Sequence, residues 1–238
     1  MAVCVVVLSD YQDIFDQFQT SIDKFEPFSS KRVLVKSENT TIILDKPERW
    51  GKVIYAPNHF IFARNANLGI NLYPEADILL TNDDVQFTHP QSISTLAKEA
   101  YSDPSIGIIS PVVRGQIGNS LQYFDPDETE KKLIYSKERL AFVCVYIKRE
   151  VINKIGGLDE EFDGYGGDDV DYCIRTQKAG YKLAVTNKVM VEHGFKECKA
   201  SSSFNRVMGG LQTHLSMLSM NKLVSQKHKI IRFKYDHE

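Results

Sequence analysis

The sequence contains few cysteines and no Cys-x-x-Cys pair. Its four cysteines, among 238 residues, lie far apart at positions 4, 144, 173 and 198. Cys4 and Cys144 fall inside apolar runs, where a free cysteine packs as a small hydrophobic residue. We therefore expect reduced thiols and a cytoplasmic protein, because disulfides persist mainly in oxidising compartments.

Long apolar runs and a strong net charge are also missing. No run approaches the ~20 apolar residues that a membrane-spanning helix needs, and the start MAVCVVVLSD is too short and lacks the basic residues of a secretory signal. The formal net charge is -2, which gives no indication of nucleic-acid or membrane binding. Only the segment from Lys196 onward is basic, and this fits a solvated tail or a partner surface. A soluble protein is expected.

Short apolar runs alternate with segments of helical periodicity, which predicts an α/β protein with a mostly parallel central sheet flanked by helices. The predicted strands cover residues 3–8, 31–36, 41–44, 53–55, 78–81, 106–111, 141–148, 182–185 and 189–192. The predicted helices cover residues 14–25, 90–101 and 204–223. Two more are predicted, one within residues 62–72 and one that ends near residues 178–180. Residues 1–200 form one domain in this interpretation, and the C-terminal helix and basic tail of residues 201–238 belong to it. Residues 115–132 are expected to form a surface loop.

The chain concentrates acidic residues between Gly156 and Asp169, in a segment that we call the acidic loop. It has six carboxylates there, interleaved with glycines and aromatic residues. Ionised groups are costly to bury unless they are paired or metal-bound, so an ordinary core does not explain them. We expect Asp168 and Asp169 to begin a helix that faces a cleft, where one carboxylate takes a proton from a substrate. Plain capping of the helix N-terminus is the structural alternative.

Polar residues fall where the sheet is expected to bind its ligand, at the carboxyl ends of strands. Three such clusters are present: Ser9-Asp10-Tyr11, Asn82-Asp83-Asp84 and Asp168-Asp169. A carboxylate pair directly after an apolar strand suits a hard divalent cation, although the same residue types also form turns. His193 follows the last predicted strand and offers a nitrogen ligand that could join the Asp pair on one metal.

Six segments are similar, in order and spacing, to motifs of one enzyme family. They are FARNANLGI at 62–70, ILLTNDDV at 78–85, IGGLDEEF at 155–162, GDDVDYCIR at 167–175, AGY at 179–181 and VEH at 191–193. Together they resemble the family 2 glycosyltransferases of GT-A fold, a Rossmann-like α/β fold, and within them the rhamnosyltransferase-like branch. The resemblance spans residues 3–193, and the segment after His193 matches no motif of the family.

The resemblance implies a nucleotide-sugar-dependent transferase with a divalent metal, Mn2+ or Mg2+. It implies that Asp84 and His193 bind this metal on the donor pyrophosphate. It also implies that Asp169 is the catalytic base of an inverting enzyme. Asp168 is then expected to orient the acceptor or cap the helix, and Tyr165 to contribute to the acceptor side.

The same resemblance implies a set of donor-binding residues: Ser9, Asp10, Tyr11, Glu38, Arg64, Asn67, Asn82 and Asp83. Asn82 stands where the family commonly has Asp facing the ribose or metal. The first strand ends in Ser9-Asp10-Tyr11-Gln12, where the family usually has Pro-Thr-Tyr-Asn. The second ends in Lys36-Ser37-Glu38-Asn39, where the family usually has Asp-Asn-x-Ser, so Glu38 would substitute for the base-binding Asp. The nucleotide base is therefore left open.

The predicted function is transfer of a hexosyl or deoxyhexosyl group from a nucleotide-diphosphate sugar to a hydroxyl acceptor, such as a glycan or another glycoconjugate. Two alternatives remain open at this point. One is a catalytically degenerate sugar- or nucleotide-binding module, which the Asn at position 82 would fit. The other is a sugar nucleotidyltransferase, although Ser9-Asp10-Tyr11-Gln12 is not the glycine-rich phosphate loop that such an enzyme needs. The sugar, the acceptor, the linkage and the oligomeric state are not encoded in any motif.

Overall fold

A nine-stranded sheet forms the centre of the computed structural model, which describes residues 2–26, 31–115, 122, 130, 132–164, 166–194 and 210–229. The strands are β1 (Val3–Leu8), β2 (Arg32–Ser37), β3 (Lys52–Ala56), β4 (Asp77–Asn82), β5 (Val85–Phe87), β6 (Ile106–Gly115), β7 (Leu133–Ser136), β8 (Cys144–Ile147) and β9 (Lys182–His193). The helices are α1 (Gln12–Phe25), α2 (Phe62–Ile70), α3 (Ser92–Ala100), α4 (Arg149–Ile155), α5 (Asp168–Lys178) and α6 (Gly210–His228). Among them, no helix is long and apolar enough to cross a bilayer.

The strand order is β3-β2-β1-β4-β8-β6-β9-β5, with β7 pairing on β9. The predicted α/β class with a central sheet is confirmed, but the sheet is mixed. Strands β1 to β4 run parallel to one another, whereas β8 lies antiparallel between β4 and β6, and β5 and β7 are antiparallel to β9. The direction of each strand could not be predicted from the sequence, because a strand buried on both faces is a continuous apolar run in either orientation.

Several predicted elements differ from those observed. Residues 182–185 and 189–192 belong to one strand, β9, whose pairing with β6 shifts register between Pro111 and Val112. Residues 41–44 form no strand, because the backbone of Ile43 bonds the Gln12 side chain instead of a neighbouring strand. The strands β5 and β7 and the helix α4 were not predicted. The last helix was expected over 204–223, of which 204–209 lie outside the described residues.

Two apolar layers cover the two faces of the sheet. One face packs against α2, α4 and α5 and the other against α1 and α3. Helix α2 lies close to β1 and β2 because Gly69 has no side chain. A Cβ at Gly69 would stand 2.4 Å from Cγ1 of Val6 and 3.3 Å from Cγ2 of Val35. This close approach holds α2 near the carboxyl ends of the parallel strands.

We predict that Gly69→Ala destabilises the protein by about 1–3 kcal/mol, because the new methyl group must displace β-branched side chains in a packed layer. The better helix propensity of Ala, worth up to about 1 kcal/mol, does not offset this. The free energy of unfolding in urea measures the effect. Leu68→Ala on the exposed side of the same helix is the control, with Leu68 37% exposed. A Gly69→Ala variant as stable as Leu68→Ala would contradict this account.

Candidate active site

The ends of β1 and β4 are tied together at the carboxyl edge of the sheet. Leu8 pairs with Asn82 in the parallel register, so the residues that follow them leave the sheet side by side. The Ser9 hydroxyl donates a hydrogen bond of 2.6 Å to Oδ2 of Asp83, and both side chains are buried. Ser9 and Asp83, two predicted donor residues, are therefore brought together and fix the loop that carries Asp84.

Asp84 meets His193 because β5 pairs antiparallel with β9. Val85 lies opposite His193 in this register, and the amide of Gly194 donates a hydrogen bond of 3.0 Å to the carbonyl of Asp84. Nε2 of His193 lies 3.1 Å from Oδ1 of Asp84. Asp84 is 1% exposed, and neither of its carboxylate oxygens accepts a hydrogen bond from the described residues. The two residues predicted as metal ligands are thus in contact.

The geometry of this pair fits a divalent cation. Neighbouring ligands around an octahedral ion with bonds of about 2.1 Å stand roughly 3 Å apart, which matches the 3.1 Å between the His193 nitrogen and the Asp84 oxygen. A buried carboxylate without donors is costly, and a cation would offset that cost. No group of three potential His, Cys, Asp or Glu ligands is present among the described residues. Two protein ligands leave coordination positions for phosphate oxygens and water.

Asp168 and Asp169 begin α5, as predicted. The turn before them requires glycine, since Gly166 and Gly167 have φ angles of 79° and 92°, which side chains disfavour. Asp168 is buried at 6% exposure, and Oδ1 of Asp169 accepts a hydrogen bond of 2.7 Å from the amide of Val170. Both carboxylates therefore lie at the positive end of a helix, where negative charge is favoured.

The two carboxylates of α5 differ in how their charge is compensated. Burial raises the pKa of both, and the charge of Asp169 raises that of Asp168 further. The Arg139 guanidinium and the amides of Val170 and Phe142 oppose the increase in the pKa of Asp169. The Arg139 guanidinium therefore favours the ionised form of Asp169, which is the form that can accept a proton.

Backbone contacts through residues 142 and 143 connect Asp169 to the end of β4. The amide of Phe142 bonds the Asp169 carboxylate. The next residue, Val143, accepts a hydrogen bond of 2.9 Å from the amide of Asn82 at the end of β4. Asp84 follows Asn82 by two residues. The candidate base and the candidate metal ligands are therefore held at one edge of the sheet.

The other donor residues near β1 and β2 come to the same edge. The Asp10 carboxylate accepts hydrogen bonds of 2.6 Å from both the amide and the hydroxyl of Ser37. Tyr11 is partly buried just before α1, and Glu38 is exposed directly after β2. Glu38 is thus accessible to a nucleoside, whereas Asp10 links the two strand ends. The roles assigned to all three remain predictions.

Arg64 and Asn67 on α2 use their polar groups within the protein. The Arg64 guanidinium donates hydrogen bonds of 2.8 and 2.7 Å to the carbonyls of Pro57 and His59. The Asn67 amide donates to the carbonyl of Leu158 at 2.9 Å and accepts from its amide at 2.8 Å. Asn67 therefore fixes the beginning of the acidic loop. Donor binding by either residue stays a prediction.

The structure adds site residues that the sequence did not indicate. Arg139 and Phe142 come from the segment between β7 and β8, and both act on Asp169. Neither belongs to a recognisable motif, and only the folded chain brings them to α5. Tyr165, the other predicted acceptor residue, lies outside the described residues.

The chain is similar to one known protein family over part of its length and to several solved structures. Residues 129–199 match the family described as the N-terminal domain of galactosyltransferase, a range that includes the acidic loop, α5 and His193. No curated protein matches the chain. A crystal structure of GalNAc-T7 with UDP, GalNAc and Mn2+ superposes with a TM-score of 0.66 at 13% identity. The crystal structure of S. aureus TarS superposes with a TM-score of 0.64 at 11% identity, and that of TarS residues 1–349 with 0.65 at 12%.

These similarities establish the fold. The superposition with GalNAc-T7 includes 95% of this chain, and each superposition with TarS includes 100% of it. It spans 48%, 41% and 68% of those three chains, respectively, so it is similar to only part of the longer proteins. The predicted resemblance to glycosyltransferases of GT-A fold is confirmed. The rhamnosyltransferase-like branch is not, and stays a prediction.

We predict that Asp168→Asn reduces the pH dependence of stability. Because burial raises the folded-state pKa of Asp168, its stabilising contribution is complete below the unfolded pKa of about 3.9 and is lost as pH rises toward the folded value. The wild type should lose unfolding free energy between pH 5 and pH 8 through this titration. The Asp168→Asn variant should lose at least about 1 kcal/mol less over the same range, since one pKa unit corresponds to roughly 1.4 kcal/mol.

Urea unfolding at the two pH values measures the difference. Asp163→Asn, at an exposed position of the acidic loop, is the control and should behave as the wild type. Parallel pH profiles for Asp168→Asn and the wild type would show that Asp168 does not carry the proton.

Proposed function

We propose that the protein is a metal-dependent inverting glycosyltransferase that moves a hexosyl or deoxyhexosyl group from a nucleotide-diphosphate sugar to a hydroxyl acceptor. One observation carries the proposal. Backbone contacts from Asp169 through Phe142 and Val143 to Asn82 hold the Asp169 carboxylate near the end of β4, which is followed by Asp84 in contact with His193. A base and a metal-binding pair at one sheet edge are what sugar transfer from a diphosphate requires.

Asp84 and His193 would hold Mn2+ or Mg2+. A bound cation there supplies Lewis-acid compensation for the charge that develops on the leaving diphosphate. The protein contributes the spacing of the two ligand atoms, which the pairing of β5 with β9 fixes before any ligand arrives. Such preorganisation avoids the cost of rearranging the site during the reaction.

Asp169 is the proposed general base. Its ionised carboxylate accepts the proton of the acceptor hydroxyl as that oxygen attacks the anomeric carbon, a contribution of roughly 10²–10⁴-fold to the rate. Attack from the face opposite the leaving diphosphate, in a single displacement, inverts the anomeric configuration. Asp168 keeps its proton in this scheme and can donate a hydrogen bond that orients the acceptor.

The donor is proposed to be a UDP-sugar. GalNAc-T7, which shares the fold, was crystallised with UDP, GalNAc and Mn2+, so UDP-sugars are the first donors to test. Glu38 and Tyr11 lie at the β1 and β2 ends, where a nucleoside would bind. The acceptor is proposed to be a glycan or another hydroxyl-bearing glycoconjugate, and the cytoplasmic location remains a prediction.

A non-catalytic binding module is the second candidate. It is favoured by Asn82, which lacks the carboxylate common at that position in the family, and by Arg64 and Asn67, whose polar groups bind neighbouring loops. Slow hydrolysis of the donor distinguishes the two functions. An enzyme should release UDP from some UDP-sugar in Mn2+ faster than its Asp169→Asn variant, whereas a binding module should show no difference.

We predict that Asp169→Asn lowers the rate of sugar transfer, or of donor hydrolysis, by at least about 100-fold, because an amide cannot accept the proton. The affinity for UDP in Mn2+ should stay within about twofold of wild type, since the change spares Asp84 and His193. Steady-state kinetics and calorimetric titration measure the two quantities. Loss of UDP affinity in this variant would count against a role in proton transfer.

We predict that Asp84→Ala weakens UDP binding in Mn2+ by at least about tenfold, equivalent to 1.4 kcal/mol, because one of two protein ligands is removed. In EDTA, the variant and the wild type should bind UDP equally weakly. Asp45→Ala, at an exposed position, is the control. An unchanged affinity of Asp84→Ala in Mn2+ would eliminate its metal role.

A further inference from the structure

The C-terminal helix α6 lies directly against the segment that carries Asp169. Met220 and Val224 of α6 form a buried apolar cluster with Phe162 of the acidic loop and Val170 of α5. Val170 is the residue after Asp169. The helix therefore packs on the backbone segment that immediately follows the candidate base.

Glycines in the acidic loop let α6 approach closely. A Cβ at Gly164 would stand 2.3 Å from the Ser216 hydroxyl, and one at Gly167 would stand 3.1 Å from Cβ of Met220. Gly167 precedes Asp168 and has a φ of 92°. The unusual backbone conformation that begins α5 is thus covered by Met220, which is itself 8% exposed.

Ion pairs hold the other end of α6 to the same segment. Lys227 pairs with Asp159 and, at 2.7 Å, with Glu161 of the acidic loop. The two contacts fasten the last turn of α6 to the beginning of the loop. Together with Met220 they span the loop from Asp159 to Gly167.

His228 reaches the first turn of α5. Its Nε2 lies 2.8 Å from Oδ1 of Asp171, and its Nδ1 lies 3.0 Å from Nζ of Lys178. Because the Lys178 ammonium can only donate, Nδ1 accepts and Nε2–H donates to Asp171. Asp171 is 2% exposed, and its amide bonds the carbonyl of Gly167 at 2.8 Å. His228 therefore contacts the residue that closes the turn around Asp168 and Asp169.

We propose that α6 positions Asp169 for catalysis, with His228 and Met220 as positioning residues. The helix contacts the chain on both sides of Asp169, at Gly167 before it and at Val170 and Asp171 after it. A carboxylate displaced by about 1 Å can lose on the order of 10²-fold in rate. This inference rests on the proposed role of Asp169 as the base, and gives the segment after His193, which matched no family motif, a part in the reaction.

The test compares His228→Ala with His228→Gln, which retains an N–H donor toward Asp171, and with His89→Ala at an exposed position. Amide hydrogen exchange of the apo protein is followed over residues 166–172. Hydrolysis of UDP-GalNAc and other UDP-sugars in Mn2+ is measured on the same variants. We expect His228→Ala to accelerate exchange in this segment about tenfold and to lower kcat about tenfold, with the donor KM within twofold of wild type.

His228→Gln should recover most of the loss, and His89→Ala should match the wild type. The proposal is overturned if His228→Ala matches His89→Ala in either exchange or kcat, or if exchange rises equally throughout the protein. Should His228→Ala fail to fold, Met220→Ala, which removes most of the side chain that packs against Gly167 and Val170, takes its place with the same expected effects on exchange and kcat. If the wild type hydrolyses no donor, the proposed function is wrong. The exchange experiment alone then decides whether α6 orders residues 166–172.

Discussion

The charges of the buried carboxylates at the carboxyl edge of the sheet must be compensated, and the rest of the site depends on this requirement. An ionised group is costly to bury unless donors or cations compensate it. Asp83 is compensated by a hydroxyl, the partly buried Asp169 by backbone amides and a guanidinium, and Asp171 by Arg175 and a histidine. Asp84 differs, because it is buried beside His193 and its oxygens accept no hydrogen bond from the described residues. This is the arrangement on which the proposed binding of a divalent cation rests.

The mixed sheet explains why distant segments converge there. The parallel strands β1, β2 and β4 place their carboxyl ends, and the polar residues that follow, at one edge. The antiparallel strand β8 begins where β4 ends, which brings Phe142 and Val143 to the same edge and, through them, α5. The short strand β5 then pairs with the end of β9 and adds His193. His193 is thus held by strand pairing, and Asp84 lies in the short turn between the strands β4 and β5, so the sheet fixes the spacing of the two side chains.

The sequence predicted the parts of this site that depend on local pattern. Apolar runs located most of the strands, and the polar residues that follow them singled out Asp84 and His193, which the fold brings into contact. The sequence did not predict that Asn67 would bind the acidic loop, or that Arg139 would lie near Asp169. Those contacts join segments far apart in the chain and follow no periodicity. The antiparallel direction of β8 could not be predicted either, because an apolar run has the same pattern in both chain directions.

Metal-dependent donor binding is the central claim, and a thermal-shift measurement on the wild-type protein tests it most directly. The melting temperature would be recorded with a panel of nucleotide-diphosphate sugars, in Mn2+ and in EDTA. We expect at least one donor to raise the melting temperature in Mn2+ and to have little effect in EDTA, because binding to the folded state stabilises it. A panel in which no donor raises the melting temperature in Mn2+, or in which the shift is as large in EDTA, would contradict the account.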